Sequence, residues 1–227
     1  MVTIDRKTTQ KILKTAVHIG ALIPLALMIW DYNQDGLGAD PIRELTLRTG
    51  KTAIILLMMS LAVTPAVIWL NWKQLMPTRR LLGLYAFLYV AIHLTIFLWL
   101  DYLLDPALIW EALFEKQYAL IGFGAFLILL PLALTSSRWS MRKLGKNWKK
   151  LHSWVYLAGI LAVLHYFLLV KNAYTEPFIF GAILAFLLLT RVKPIKQAIL
   201  QWRRGRQSRR SKPTAVPAAA GQTEKNS

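Results

Sequence analysis

The sequence predicts an all-α integral membrane protein in which six transmembrane helices form one bundle and both termini lie in the cytoplasm. Three observations predict it. Of the 227 residues 56% are hydrophobic, nine are tryptophan, and the mean hydropathy is +0.41. This is the composition of a multi-pass membrane protein, with no room for a large soluble domain beside the apolar segments. The apolar residues gather in six stretches, at about 12–30, 51–70, 81–103, 118–135, 151–170 and 174–191, each near the roughly 20 residues a helix needs to cross hydrocarbon. The links between them alternate in charge, although the whole chain carries a net +17. Cations dominate the arm through Lys14, the turn with Lys73, Arg79 and Arg80, the loop 138–150 and everything from Arg191 on. The links 31–51 and 101–116 are net acidic, and Lys171 and Glu176 cancel. That alternation satisfies the positive-inside rule for an even number of crossings.

Taken in order, the arm 1–11 is a short cytoplasmic lead. The first stretch follows Lys11 and Lys14 as a signal peptide would, but it is too long, and Met28-Ile29-Trp30-Asp31 offers no small-residue cleavage site. It is therefore read as retained. Trp30, Trp69, Trp72, Trp99, Trp110, Trp148 and Trp154 cluster at the ends of the stretches, where an amphipathic ring sits well between lipid and water. The sixth stretch is the shortest, because Glu176 and Pro177 leave about 14 apolar residues after them; its basic flank still favours a crossing. The bundle is thus expected over 12–193. The segment 194–227, rich in Arg, Ser, Pro, Ala and Gly, is expected to be a disordered cytoplasmic tail that meets anionic membrane lipid. A juxtamembrane position explains its arginines, and no nucleic-acid partner is expected.

Chemistry in this chain rests on four histidines. The absence of cysteine excludes disulfides, thiolate-ligated haem, Cys-ligated iron–sulfur clusters and covalent attachment of c-type haem, so any haem must be held by nitrogen ligands. His18, His93 and His165 fall inside apolar stretches and His152 at the edge of one; an imidazole in hydrocarbon is a functional-site hypothesis by default. Counting from the cytoplasmic ends of their helices, His93 lies about 18 Å deep and His165 about 21 Å. Matching depth on parallel helices suits one haem with an imidazole on each face of its iron. His152, thirteen residues before His165, lies roughly 20 Å nearer the cytoplasm, room for a second site. The inner position leaves three readings open: His18 and His152 share a second haem, the inner site is ligated unusually, or that region holds a flavin. On an ideal helix His152 and His165 are roughly 140° apart; Gly159 between them allows a local change of winding or a close approach of porphyrin, and helix tilt would help.

The stretches GLGADP at 36–41, RRLLGL at 79–84, HLT at 93–95, RKLGK at 142–146 and LHSWVY at 151–156, with His165 and Tyr166, together resemble the MsrQ family. These are haem-binding membrane subunits of bacterial protein-methionine-sulfoxide reductase systems, within the ferric-reductase-like transmembrane group. The match runs in order from about 12 to 193. The resemblance implies a six-helix bundle around b-type haem, one or two in number, and admits FMN as a further cofactor. It implies residence in the bacterial inner membrane and electron delivery from a cytoplasmic flavin reductase or other reduced-flavin or nicotinamide donor to a periplasmic molybdopterin methionine-sulfoxide reductase. The family's haem histidines fall on His93, His165 and His152, with a first-helix histidine at His18: His93 and His165 for the outer haem iron, His152 for an inner one. The inner ligand on the third helix that eukaryotic ferric reductases carry is lacking. No Gly-rich dinucleotide fingerprint occurs, so the electron donor is external.

Two loops carry expectations of their own. The turn-rich, acidic loop 31–44, with Asp31, Asp35 and Asp40, is either a solvated turn or a contact for the periplasmic partner. The basic loop 138–150 sets topology, with a donor or flavin-phosphate contact as the sharper reading. The rival from another class is a proton-coupled transporter using the intramembrane histidines. It should show more polar residues at mid-depth or an internal repeat. A mere membrane anchor would leave the paired histidines without use.

Overall fold

A computed structural model describes residues 5–170, 174–195 and 197–202. Its elements are α1 (Arg6–Asn33), α2 (Pro41–Leu70), a 3₁₀ turn (Lys73–Leu75), α3 (Met76–Thr95), a π-helical turn (Ile96–Asp101), α4 (Pro106–Glu115), α5 (Gln117–Leu134), α6 (Arg138–Leu144), α7 (Lys146–His152), α8 (Val155–Leu169) and α9 (Thr175–Leu189). Residues 1–4 of the expected arm and the expected tail beyond 202 lie outside the described residues.

Among the described residues, five segments are long and apolar enough to cross a membrane: Arg6–Asn33, Pro41–Leu70, Lys73–Asp101, Gln117–Leu134 and Lys146–Leu169. The sixth, expected at about 174–191, is found only as a bent pair of helices. At 15 residues α9 is short, and it passes only when joined to Lys193–Trp202 across a 70° bend. Arg191 fastens its far end, donating to Tyr156 Oη at 2.6 Å and to the Leu61 carbonyl.

The sequence sets the helix ends by local chemistry. Asp40 accepts from Arg43 N at 3.0 Å with Pro41 opening α2, and Asp105 accepts from Ala107 N at 2.8 Å with Pro106 opening α4; each oxygen satisfies a first-turn amide that has no partner in the helix. Helix α4 lies inside what sequence periodicity reads as a loop. At ten residues it is too short for the span signal, and only its cap marks it. Helix α3 passes into the π turn just after His93, and the segment closes with Leu103 and Leu104 at φ 51° and 60°, a left-handed conformation that costs a leucine about 1–2 kcal/mol.

Helix α2 is the centre. Half of its apolar window is buried, against 11–22% in the other four. One side packs Ala53, Leu56, Leu57 and Val63 with Ala21 and Met28 of α1, Leu82, Ala86 and Tyr89 of α3, Leu129 of α5 and Ala158 of α8. The other packs Ile54, Met58 and Leu61 with Leu184 and Leu187 of α9. Exposed apolar side chains on the remaining helices, such as Ile19, Leu27, Leu127 and Phe186, form the surface a bilayer would cover. Tyr89 is fully buried and donates to the Ala21 carbonyl at 2.7 Å. Tyr89→Phe is expected to lower stability by about 1 kcal/mol, read as a lower thermal midpoint in detergent.

Candidate functional site

The long helices bring two of the four histidines side by side. His93, on the last turn of α3, and His165, near the end of α8, have ring centroids 6.1 Å apart and ring planes at 88°. Two imidazoles binding one metal from opposite sides, at about 2 Å each, have centroids on the order of 6 Å apart, so the spacing admits a metal between the rings.

The remaining ring nitrogens support the same chemistry. His93 Nδ1 lies 2.9 Å from the Thr46 carbonyl of α2, and His165 Nδ1 lies 2.7 Å from the Tyr118 carbonyl of α5. A carbonyl only accepts, so each Nδ1 carries the proton and donates it. Each Nε2 is then the lone-pair nitrogen, the form that ligates a metal, with its orientation set by the bond on the other side of the ring.

Gly50 and Gly122 also touch the pair, one turn beyond those carbonyls. A side chain on either would collide with an imidazole: a Cβ on Gly50 falls 3.1 Å from His93 Cε1, and one on Gly122 falls 2.6 Å from His165 Nδ1. Sequence reasoning missed both. The signal that could have found them is a glycine inside an apolar helix, which costs about 1 kcal/mol against alanine and needs a reason.

The other two histidines have partners of their own. His152 ends α7 at the basic end of the bundle; its Nε2 is 3.1 Å from Thr135 Oγ1, and its ring stacks on Trp148 at 4.0 Å. Trp148 Nε1 donates to the Thr135 carbonyl at 3.0 Å. Trp148 is thus a partner of His152 as well as a residue at the end of the span Lys146–Leu169, less exposed than Trp30, Trp99 and Trp110. His18 Nδ1 lies 2.7 Å from Tyr85 Oη. Among the described residues no hydrogen bond or ring contact joins His18 to His152.

The winding change expected at Gly159 occurs elsewhere. Between α7 and α8, Trp154 N bonds to the Leu151 carbonyl and Tyr156 N to that of Ser153, a tighter i to i−3 turn that shifts His152 relative to His165. Gly159 instead receives Leu184 and Leu61, whose methyl carbons lie 3.4 and 3.6 Å from where its Cβ would stand.

At the acidic end, Glu176 accepts from Lys51 Nζ at 2.8 Å and from Tyr166 Oη, tying the neighbours of Gly50 and His165 together. Asp31 pairs with Arg48 and Asp40 caps α2, so two acids of the loop 31–44 have structural partners. Between α4 and α5, Lys116 donates to Tyr102 Oη at 2.6 Å, and this bond raises the ammonium's pKa above its usual value.

The family described as "Ferric reductase like transmembrane component" matches residues 49–163. "Protein-methionine-sulfoxide reductase heme-binding subunit MsrQ" of Xanthomonas campestris pv. campestris (strain 8004) is 45% identical over 185 residues, 79% of this chain and 85% of that protein. The protein of the same description from Rhodospirillum rubrum is 40% identical over 201 residues, 88% of this chain and 95% of its own length. The chain belongs to the MsrQ family. No solved structure matches it. Residues 49–163, matched to the broader ferric-reductase-like group, hold both His93 and His152 and stop just short of His165.

Proposed function

We propose that the chain carries electrons across the bacterial inner membrane, from a cytoplasmic donor through haem b to a periplasmic molybdopterin methionine-sulfoxide reductase that repairs oxidised proteins. The observation that carries the reading is the His93–His165 pair, 6.1 Å apart with both Nδ1 atoms committed to backbone carbonyls. The description of the family's relatives as heme-binding subunits of such systems supports it from the other side.

His93 and His165 would hold the outer haem from its two faces. A haem held by these two imidazoles would supply a one-electron carrier suited to electron transfer rather than oxygen chemistry. The Thr46 and Tyr118 carbonyls hold each ring in place and raise the basicity of its Nε2. His152 is the ligand candidate for an inner haem, with His18 or a flavin beside it. The cations of the loop 138–150, together with Arg79 and Arg80, suit an anionic donor such as reduced FMN or a flavin reductase. The charge alternation supports a cytoplasmic position for both termini.

Every described carboxylate within a helix lies near a helix end or on the short α4: Asp31, Glu44, Asp101, Glu111, Glu115 and Glu176. A proton-transporting bundle would place carboxylates or further polar groups at mid-depth beside the histidines, so the electron reading is preferred. The test is the dithionite-reduced minus oxidised spectrum, with haem quantified as pyridine haemochrome, on protein from haem-replete cells. A b-type spectrum with at least one haem per chain is expected; a colourless, folded preparation would return the transporter or anchor to first place.

A further inference from the structure

We propose that Gly50 and Gly122 are positioning residues, bare seats on α2 and α5 that set the orientation of His93 and His165. The inference rests on the haem reading above and extends it from the ligands to the backbone beneath them.

The two seats are built alike. Thr46 and Gly50 are four residues apart, as are Tyr118 and Gly122, so in each helix the glycine stands one turn beyond the carbonyl that accepts from a histidine. Each carbonyl lies within a helix, where it faces an amide of its own helix, and takes the imidazole N–H as a further donor; at Thr46 the Thr49 hydroxyl also approaches, at 3.0 Å. To reach that carbonyl the ring must lie close against the helix, where the side chain of the residue one turn on would normally stand. Glycine clears the space.

The rest of the molecule shows that the clearance is specific. A Cβ on Gly20 would meet nothing within 4 Å, and one on Gly124, two residues from Gly122 on α5, only Leu161 Cδ1 at 3.9 Å. At Gly50 and Gly122 the nearest atoms are all imidazole atoms. The two seats are also unequal. At Gly122 a methyl would stand 2.6 Å from His165 Nδ1, a distance no side-chain adjustment short of moving the ring can absorb. At Gly50 the approach is 3.1 Å, which a small rotation of His93 relieves. Because the carbonyls come from different helices, the seats also hold the ring planes nearly perpendicular, at 88°. The relative orientation of the rings is thereby a property of how α2 and α5 pack around α3 and α8.

The test uses full-length protein from haem-replete cells carrying Gly122→Ala, Gly50→Ala or, as control, Gly124→Ala. Haem content, the low-spin EPR signal, the midpoint potential and the thermal midpoint are measured. Gly122→Ala is expected to bind haem about ten-fold or more weakly and to lose the low-spin signal of the outer site. Gly50→Ala is expected to retain haem with shifted EPR g values and midpoint potential, and Gly124→Ala to match wild type in all. Wild-type EPR and potential in Gly50→Ala, with wild-type haem content in Gly122→Ala, would overturn the proposal. So would a loss of thermal stability in both with no change in the EPR of the haem that remains, since a merely structural glycine would act that way. Should Gly122→Ala fail to accumulate, Gly50→Ala decides alone. Absence of haem in wild type defeats the haem reading itself, and that is seen before any glycine is changed.

Discussion

His165→Ala is expected to lose the outer haem, with haem affinity falling by about 100-fold or more. Changing a hydrogen-bond partner behind a metal-bound histidine typically costs about 10–100-fold in affinity, and removing the ligand itself costs at least as much. The structure gives a reason to expect no local substitute. Imidazole and thiolate ligands are scarce here: the chain has no cysteine and four histidines, and among the described residues no group of three or more His, Cys, Asp or Glu side chains clusters anywhere. His18 and His152 are engaged elsewhere, with Tyr85 and with Thr135 and Trp148. His93→Ala should behave alike, since its ring is the other half of the pair. The pyridine haemochrome and the reduced-minus-oxidised spectrum read the effect, and added imidazole should partly restore low-spin absorption in either variant by refilling the vacated ring position. Both variants keeping full low-spin haem would remove the pair from the haem site.

His152→Ala is expected to separate entry from exit. On the proposed reading it keeps the haem between His93 and His165 but slows reduction of that haem by the cytoplasmic donor at least about ten-fold, the lower end of the range for disturbing a metal site. The reason is distance: along the helix axis His152 and His165 are roughly 20 Å apart, a long stretch of protein for an electron to cross in one step. The i to i−3 turn at Ser153 and Trp154 alters the angle between them, and only slightly the length. If two haems per chain are present in wild type, the variant should retain one. The experiment monitors reduction of the outer haem by a flavin reductase with NADPH and FMN, beside direct reduction by dithionite. Unchanged donor-driven reduction and unchanged haem content together would place the entry site away from His152 and favour a flavin bound against the basic loops.

The parts of the protein that were readable in one dimension are those whose physics is one-dimensional. A helix rises by a constant amount per residue, so the equal depth of His93 and His165 followed from counting, and in the folded chain the two rings lie side by side. Rotation about the helix axis is a different matter. Depth alone left His18 and His152 open as partners for one site, whereas packing sets His18 against α3 and His152 against the end of α5. Trp148 stands four residues before His152 on α7, and its stacking on the imidazole follows from that local helix spacing. Helix α4 was invisible to span-length periodicity, although its Asp105–Pro106 start was legible as a cap.

Composition and chain order set the membrane character of the bundle, its division into apolar spans, the alternation of basic and acidic ends, and the position of each histidine along its own helix. These depend on composition, on length and on the fixed geometry of a helix in hydrocarbon. Tertiary structure alone decided which faces meet: that α2 lies at the centre, that α9 bends at its end, that Glu176 answers Lys51 and Tyr166 across two helices, and that His93 and His165 lie on Gly50 and Gly122. Those features depend on how separate helices turn and pack against one another, and helix–helix packing in a membrane is set by the fit of small and large side chains rather than by any periodic signal in the chain.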